Sequence, residues 1–317
     1  MKDIINSQVN NNPNKTFIIY NNQLISYIDF NYMVNHIVKN IKQYKQQYIG
    51  IQLCDKLKLL VTIIAINRTK KIPVIYPYYP NIKEYTDITD VPISIKDNDV
   101  IINKTKINKC STTYKKNDIQ IVIFTSGSTG TPKACELSFN NLYQSALLWD
   151  EVIRFNRDDC YLNHMPLTHI SGISIFFRAL YYNFIMALDD FNASGYSKFI
   201  KNHKINIISM VPYMLKKVID ENGIKKLDKL KTIIIGGSNI NQELLHTIKI
   251  NKIPTYISYG MTETCSGVAG FWINKFPERI DSVGTPFKNV KISIINNFIA
   301  VESPTIMKGY LLEDKQK

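Results

Sequence analysis

The second half of the chain alternates between helical and strand-like apolar patterns, and this alternation restricts the folds that it can adopt. The patterns follow one another as helix, strand, helix, strand and helix over residues 171–182, 184–188, 194–203, 206–210 and 213–220. Apolar runs at residues 233–235 and 253–258 continue the series. Strands that alternate with helices pair in parallel, because each helix returns the chain to the same edge of the sheet. The sequence therefore predicts an α/β fold, with a mostly parallel sheet covered by helices on both faces.

The first part of the chain carries its own set of strand and helix signals. Thr16–Tyr20 and Gln23–Ser26 flank Asn21-Asn22, which predicts a hairpin. Helical spacing covers residues 30–41 and 56–67, and Asp55 is placed to cap the second of these helices. Residues 96–118 are polar and irregular, as is typical of a linker. Because 317 residues suffice for two lobes, we expect a first α/β lobe and linker over 1–117 and a second lobe over 118–317.

A short apolar strand at residues 121–124 runs directly into a loop of small hydroxyl and glycine residues. The loop consists of Thr125, Ser126, Gly127, Ser128, Thr129 and Gly130, and it is followed by Pro132 and Lys133. Glycine lets backbone N–H groups approach an anion, hydroxyls add donors, and a lysine acts as a point charge on phosphate. The spacing differs from the Walker A pattern, since Lys133 follows a proline. The loop predicts a polyphosphate site, and the alternative is an ordinary turn between a strand and a helix.

A second group of reactive residues follows the apolar run that ends at residue 258. In the order Tyr259-Gly260-Met261-Thr262-Glu263, it combines an aromatic ring, a glycine, a hydroxyl and an acid. An acid beside a phosphate site needs an intervening cation, so Glu263 indicates a Mg²⁺ ligand. The Thr262 hydroxyl offers a donor to a phosphate oxygen, and the Tyr259 ring offers a surface on which a base can stack. The alternative is that Thr262 and Glu263 cap the start of a helix.

These two segments resemble the signatures of the acyl-adenylate-forming superfamily, which includes acyl-CoA synthetases, firefly luciferase and peptide-synthetase adenylation domains. The matching strings are T-S-G-S-T-G-T-P-K at 125–133 and Y-G-M-T-E at 259–263, and the similarity is clear over roughly residues 120–310. The resemblance implies two mostly parallel sheets flanked by helices, ATP and Mg²⁺ as cofactors, and coenzyme A as co-substrate. The implied reaction joins a carboxylic acid to AMP and then transfers the acyl group to coenzyme A.

The resemblance also implies roles for individual residues. It assigns Gly236, Gly237, Tyr259, Gly260 and Thr262 to the nucleotide, together with the 125–130 loop and Lys133. His169, in the segment Pro166-Leu-Thr-His169-Ile-Ser-Gly172, corresponds to a histidine at the acyl and thiol-entry channel, and the backbone at Gly237 and Ser238 lines the acyl pocket. Lys133, His169, Thr262 and Glu263 are then the catalytic residues. Without the resemblance, His169 is a partly buried imidazole and residues 236–238 are a simple turn.

One subgroup fits better than the others. Residues 169–179 and 259–265 are similar to o-succinylbenzoate–CoA ligases of menaquinone and phylloquinone synthesis. Arg178 lies on an otherwise apolar helix, where a cation needs a partner. Since o-succinylbenzoate has two carboxylates and arginine pairs with carboxylate, Arg178 is expected to hold the one that is not activated. The alternative is a buried pair with an acid of the protein.

Composition excludes several other classes of protein. The five cysteines are widely spaced and odd in number, which indicates neither a disulfide framework nor a zinc site and favours a reducing compartment. No apolar run is long enough for a membrane span, and the start lacks the pattern of a signal peptide. We therefore expect a cytoplasmic protein, or one of the plastid stroma if its gene is organellar. The net charge of +13 is spread along the chain, so no nucleic-acid partner is expected, although the positive field favours capture of ATP and coenzyme A.

The family pattern extends further than this chain. In the family, an Asp of a T-G-D signature and a small C-terminal domain with a further lysine follow, whereas this sequence ends at Lys317. The expectation is a fragment, a truncated gene product, or one half of an enzyme that works with a separate C-terminal chain, and a homodimer is also considered. Two other functions stay open: an adenylation domain that loads a carrier protein, and a nucleotide-binding protein without catalysis.

Overall fold

A computed structural model describes residues 1–78, 82–103, 112–125, 131–224, 227, 229–279 and 281–312. The strands are β1 (Thr16–Tyr20), β2 (Gln23–Ser26), β3 (Tyr48–Gln52), β4 (Ile72–Ile75), β5 (Ile93–Lys96), β6 (Ile119–Thr125), β7 (Lys133–Ser138), β8 (Cys160–Asn163), β9 (Ile185–Leu188), β10 (Ile207–Met210), β11 (Thr232–Ile235), β12 (Thr255–Met261), β13 (Ser266–Trp272), β14 (Thr285–Pro286), β15 (Lys291–Ile295), β16 (Phe298–Glu302) and β17 (Gly309–Tyr310). The helices are α1 (Ile4–Asn11), α2 (Tyr27–Ile41), α3 (Lys56–Arg68), α4 (Lys83–Thr89), α5 (Phe139–Ile153), α6 (Ile170–Tyr182), α7 (Tyr196–His203), α8 (Pro212–Asn222) and α9 (Gln242–Ile250). Short 3₁₀ turns lie at Asp97–Asp99, Thr262–Thr264 and Pro277–Arg279.

The chain divides into two compact units. The first contains residues 1–142, 167–170 and 307–317, and the second contains residues 143–166 and 171–306. These units group β6 and β7 with the first lobe, whereas the domain division at residues 117 and 118 stays a prediction.

The first unit is built on a six-stranded sheet in the order β17-β7-β6-β4-β3-β5. Strands β3, β4, β5 and β6 are parallel, and β7 and β17 add an antiparallel edge. The predicted hairpin and the predicted cap of α3 are confirmed. Asn21 and Asn22 both have positive φ, at 50° and 60°, as a tight two-residue turn requires. The Asp55 carboxylate accepts the Lys58 backbone N–H at 2.9 Å, which satisfies one of the free donors at the start of α3.

The second unit contains a larger sheet whose strands run in the order β14-β13-β12-β11-β10-β8-β9. The five strands from β12 to β9 in this order are parallel, and β13 and β14 are antiparallel. Every residue of β8 and β11 is buried, as expected for strands covered on both faces. The α/β fold predicted from the alternating patterns, with two mostly parallel sheets and flanking helices, is therefore confirmed. In the part of the chain that the structure covers, no helix has the length and apolar character to cross a membrane.

Strand β7 is not among the elements that the sequence predicts. Helix α5 follows it directly, and the Ser138 hydroxyl caps this helix by accepting the Asn141 backbone N–H at 3.2 Å. The preceding residues are charged at Lys133 and Glu136, which hides their strand pattern. The polar Glu136 side chain is accommodated in this strand because it accepts a hydrogen bond of 2.7 Å from the Tyr48 hydroxyl.

Candidate functional site

A pocket of about 500 Å³ opens in the second unit where β11 and β12 end. Gly237 and Ser238, which follow β11, lie on its wall together with Tyr259 and Gly260 of β12. The remaining lining residues are Asn239, Ile240, Gln242, Ile257, Ser258, Phe271, Asp281, Ser282 and Val283. Because β11 and β12 are parallel neighbours, their carboxyl ends meet at one edge, which is where open α/β sheets bind ligands. The structure thus brings together residues from two of the predicted segments.

Bare backbone at two positions is a steric requirement of this pocket. A Cβ atom at Gly260 would lie 2.1 Å from the Ser266 carbonyl oxygen, so any side chain would force the neighbouring strand away. Gly237 has φ of +82°, a conformation that residues with side chains rarely adopt. Both glycines therefore expose main chain to the pocket, where a flat ring or a phosphate can approach closely.

Thr262 and Glu263 lie in the 3₁₀ turn that directly follows β12, and both side chains are half-buried. The chain then passes through Cys265 and Ser266 with φ of 54° and 97°. Two consecutive non-glycine residues with positive φ are costly, at about 1–3 kcal/mol each for sparsely populated regions. The strained pair sharply reverses the chain between β12 and β13, and it presents the turn at the same end of the strand as Tyr259 and Gly260.

Arg178 is buried within the second unit on α6, with 3% of its surface exposed. Its Nη2 donates to the Ser266 hydroxyl at 2.8 Å, and its guanidinium carbon lies 4.4 Å from the centre of the Trp149 ring. Burial lowers the pKa of Arg178, while the neighbouring Tyr161 and Cys265 raise it. No acid among the described side chains forms an ion pair with it, and its Nε has no hydrogen-bond partner there. The described part of the chain therefore does not support the alternative of a buried pair with a protein acid.

The phosphate-loop residues belong to the first unit, at the junction of β6 and β7. Ser126, Gly127, Ser128, Thr129 and Gly130 lie outside the described residues. Thr125 pairs with Lys133 across the antiparallel strands, and its hydroxyl has no hydrogen-bond partner in the described portion of the molecule. Lys133 is exposed, and its Nζ lies 4.9 Å from the centre of the Tyr310 ring. A hydroxyl and a cation thus stand at the two ends of the loop.

His169 is a half-buried residue immediately before α6, and it is grouped with the first unit. Burial lowers the pKa of its imidazole below the ordinary value of 6.5. The ring is therefore neutral at neutral pH, which suits a group that lines an apolar channel better than one that binds an anion.

Several pocket residues were missed by the sequence interpretation. Gln242 Nε2 donates to Asp281 Oδ1 at 3.0 Å, which joins the start of α9 to the segment before β14. The sequence could have indicated Gln242 as a pocket residue, because it follows the glycine segment at the end of a parallel strand. It could not have indicated Asp281, since the segment around Asp281 has no periodic pattern.

The acidic residues of the site fit a magnesium ion carried by a nucleotide better than one held by the protein alone. Across the described ranges, no group of three or more His, Cys, Asp or Glu residues is arranged to hold a metal. Mg²⁺ in nucleotide sites uses one or two carboxylates together with phosphate oxygens and water. A single half-buried carboxylate at Glu263 beside the Thr262 hydroxyl meets that requirement.

Comparison with known proteins places these features in a family. The family model described as AMP-binding enzyme matches residues 80–311. A 2-succinylbenzoate–CoA ligase of Staphylococcus aureus is 33% identical over 229 residues, which are 70% of this chain and 46% of that protein. The chain thus spans about half the length of the curated relatives it matches.

Solved structures agree with this match in fold. An o-succinylbenzoate coenzyme A synthetase from Bacillus subtilis, in complex with ATP and magnesium ion, has a TM-score of 0.88 at 21% identity, with 99% of this chain and 73% of that chain covered. The same Bacillus enzyme with its acyl-adenylate intermediate has a TM-score of 0.80 at 22% identity, with 98% and 71% covered. Since the family match extends over most of the sequence and the fold agrees throughout, the chain belongs to the AMP-binding enzyme family.

Proposed function

We propose that this chain is the nucleotide-binding part of an AMP-forming acid–CoA ligase whose acid is o-succinylbenzoate. In the first step the carboxylate attacks the α-phosphate of ATP, which gives acyl-AMP and pyrophosphate. In the second step the thiol of coenzyme A displaces AMP and gives the thioester. The observation that carries the proposal is the pocket at the ends of β11 and β12, where the glycine segment and the Tyr259-Gly260 segment line one wall.

The proposed roles follow from charge. Adenylation brings a carboxylate against a phosphate, and two anions approach only where cations lower the repulsion. Lys133 and the loop at 125–130 bind the phosphates, and Thr262 donates to the α-phosphate. Glu263 holds the magnesium ion, which when bound neutralises phosphate charge. Tyr259 and the backbone at 236–238 and 260 hold the nucleotide base and the acyl group.

Arg178 is proposed to bind the carboxylate of o-succinylbenzoate that is not activated. A buried cation without an acid partner among the described residues is costly, and its Nε is available there for a further hydrogen bond. A carboxylate ligand would accept hydrogen bonds from the Arg178 guanidinium and neutralise its buried positive charge. A buried cation also disfavours the ammonium group of an amino acid, so Arg178 favours the ligase over a domain that activates amino acids.

His169 is proposed to lie beside the acyl and thiol channel as a neutral ring. Its lowered pKa supports this role, because an uncharged imidazole can pack against an acyl chain and still accept a hydrogen bond.

The direct test is titration calorimetry of this chain with ATP, Mg²⁺ and o-succinylbenzoate, followed by a search for acyl-AMP. We expect Mg²⁺-dependent ATP binding, and Glu263→Gln should abolish the dependence on Mg²⁺. Glu302→Gln is the matched control, because Glu302 is an exposed acid whose described ion pair is with Lys291 on the β15–β16 hairpin. Absence of any ATP binding by the wild-type chain would refute the proposal.

A pyrophosphate-exchange assay, together with the search for acyl-AMP, separates the alternatives. Pyrophosphate exchange with amino acids instead of aromatic acids would indicate a carrier-protein-loading domain, and binding without acyl-AMP formation would indicate a nucleotide-binding protein without catalysis. A separate C-terminal chain or a homodimer, and a cytoplasmic or plastid location, stay predictions.

A further inference from the structure

We propose that Thr264 is a positioning residue whose hydroxyl fixes the turn that carries Thr262 and Glu263. This inference rests on the proposed function, in which those two residues serve the nucleotide and its magnesium ion. Thr264 itself is 2% exposed and lies on the protein side of the turn. It therefore acts on the ligand through its neighbours and not by contact.

The Thr264 hydroxyl bridges the two ends of the turn. Its oxygen accepts the Met261 backbone N–H at 3.0 Å, and its proton is donated to the Ser266 carbonyl oxygen at 2.7 Å. The Met261 carbonyl is a second acceptor, at 3.0 Å. Met261 ends β12 and Ser266 begins β13, so a single side chain ties the last residue of one strand to the first of the next.

The backbone at Cys265 and Ser266 is strained, so it needs stabilising hydrogen bonds such as those of the Thr264 hydroxyl. Cys265 and Ser266 both have positive φ, and such a conformation persists only where surrounding contacts over-determine it. Their two carbonyls each accept a hydrogen bond from a side-chain hydroxyl. The second donor is Ser145 of α5, whose hydroxyl donates to the Cys265 carbonyl at 2.6 Å. Loss of either donor leaves a carbonyl to find another partner and allows the pair to relax.

A shift of this backbone would reach the pocket wall directly. The Ser266 carbonyl oxygen lies 2.1 Å from where a Cβ atom at Gly260 would stand, so the two strands are in close contact there. Gly260 lines the pocket, and Thr262 follows it by two residues. The position of Ser266 therefore sets where Gly260, Thr262 and Glu263 lie relative to one another.

The test compares Thr264→Val, which removes the hydroxyl and keeps the shape, with Thr264→Ser, which keeps the hydroxyl. Thr255→Val is the matched control. Thr255 is a fully buried threonine at the start of β12, the strand that leads into this turn, and within the described residues its hydroxyl makes no hydrogen bond. Two quantities are measured for each chain: the exchange rate of the Met261 backbone amide in the free protein, and the affinity for ATP as a function of free Mg²⁺.

We expect Thr264→Val to speed exchange at Met261 and to weaken Mg²⁺-dependent ATP binding by about tenfold, as for one lost buried hydrogen bond. The affinity for ATP in the presence of EDTA should fall less, because only the contribution of Thr262 is then lost, and Thr264→Ser should restore both readouts. If Thr264→Val changes neither the exchange rate of the Met261 amide nor the Mg²⁺ dependence of ATP binding, the positioning role of Thr264 is refuted, but the proposed function is not. A wild-type chain that binds no ATP would overturn the proposed function and, with it, the positioning role. The exchange data would still show whether the Thr264 hydroxyl holds the Met261 amide in the free protein.

Discussion

Replacing Arg178 by methionine separates a structural arginine from one that is kept for a ligand. Methionine fills a similar volume beside Trp149 and removes the charge. The change loses a stacking contact and a hydrogen bond to Ser266, worth about 1–2 and 1.5–3 kcal/mol respectively when measured in isolation. It also removes the desolvation cost of a buried cation, which is several kcal/mol per ion. Because these opposing contributions are of similar size, we expect the free energy of unfolding to change by less than about 1.5 kcal/mol.

The effect on ligand affinity should be much larger. Loss of a buried charged partner for a carboxylate costs about 2–5 kcal/mol, which corresponds to a decrease in affinity of about 30-fold to several thousand-fold. The assay is competition calorimetry with o-succinylbenzoate and with an analogue that has one of the two carboxylates removed. The variant should bind the two compounds with nearly equal affinity, whereas the wild-type chain should prefer the dicarboxylate.

Arg68 provides a matched contrast within the same chain, because it is also buried but has an acid partner. Its Nε lies 2.7 Å from Asp3 Oδ2, so Arg68→Met leaves a buried carboxylate unpaired. Urea unfolding should show a loss of about 3–5 kcal/mol for Arg68→Met and no comparable loss for Arg178→Met. Equal destabilisation in the two variants, with an unchanged preference for the dicarboxylate, would refute the assignment of Arg178 to a ligand.

Three further predictions address the pocket, the imidazole and the first unit. Gly260→Ala should abolish ATP binding in calorimetry, because its Cβ atom would lie 2.1 Å from a carbonyl oxygen that cannot move freely; wild-type affinity in this variant would contradict the steric argument. His169 binds fewer protons in the folded state than in the unfolded state just below pH 6.5, so it lowers stability as the pH falls through that value. Urea unfolding at pH 7.5 and 5.5 should therefore show a smaller loss for His169→Gln than for the wild type, and an equal loss would exclude this contribution. Tyr48→Phe should lower the free energy of unfolding by about 1–3 kcal/mol, because Glu136 on β7 loses its 2.7 Å hydrogen bond, whereas Tyr78→Phe at an exposed site should have no measurable effect in the same assay.

Local signals predicted most of the elements and the α/β class, but not the features that depend on distant partners. The cap at Asp55 and the Asn21-Asn22 turn are set by interactions within a few residues, and both are correct. Strand β7 depends on a partner far along the chain, since Tyr48 satisfies Glu136 across 88 residues of sequence. No local pattern encodes such a contact, and the same holds for Asp281 on the pocket wall.

The sequence predicted part of the candidate site, because polar residues interrupt an apolar pattern there. Glycine, threonine and glutamate at 260–263 are informative because each breaks the apolar pattern of the strand that precedes them. The sequence could not show that Thr264 would be buried while its neighbour Glu263 stays half-exposed, because that depends on the left-handed backbone at 265 and 266. Cysteine and serine have no special preference for that conformation, so the tertiary contacts of α5 and α6 must impose it.

Three departures from local rules in the second unit occur together at one end of β12. A side chain cannot be accommodated at Gly260, Cys265 and Ser266 adopt unfavourable backbone angles, and the buried cation of Arg178 donates to the Ser266 hydroxyl. Each feature lowers stability by itself, and selection for stability alone would remove them separately. Their occurrence together at one strand end favours a shared cause, and binding of an anionic ligand there would offset the buried charge while using the bare backbone. If the cause is only structural, replacing Arg178 and relaxing the turn should stabilise the unit at no loss of ATP binding.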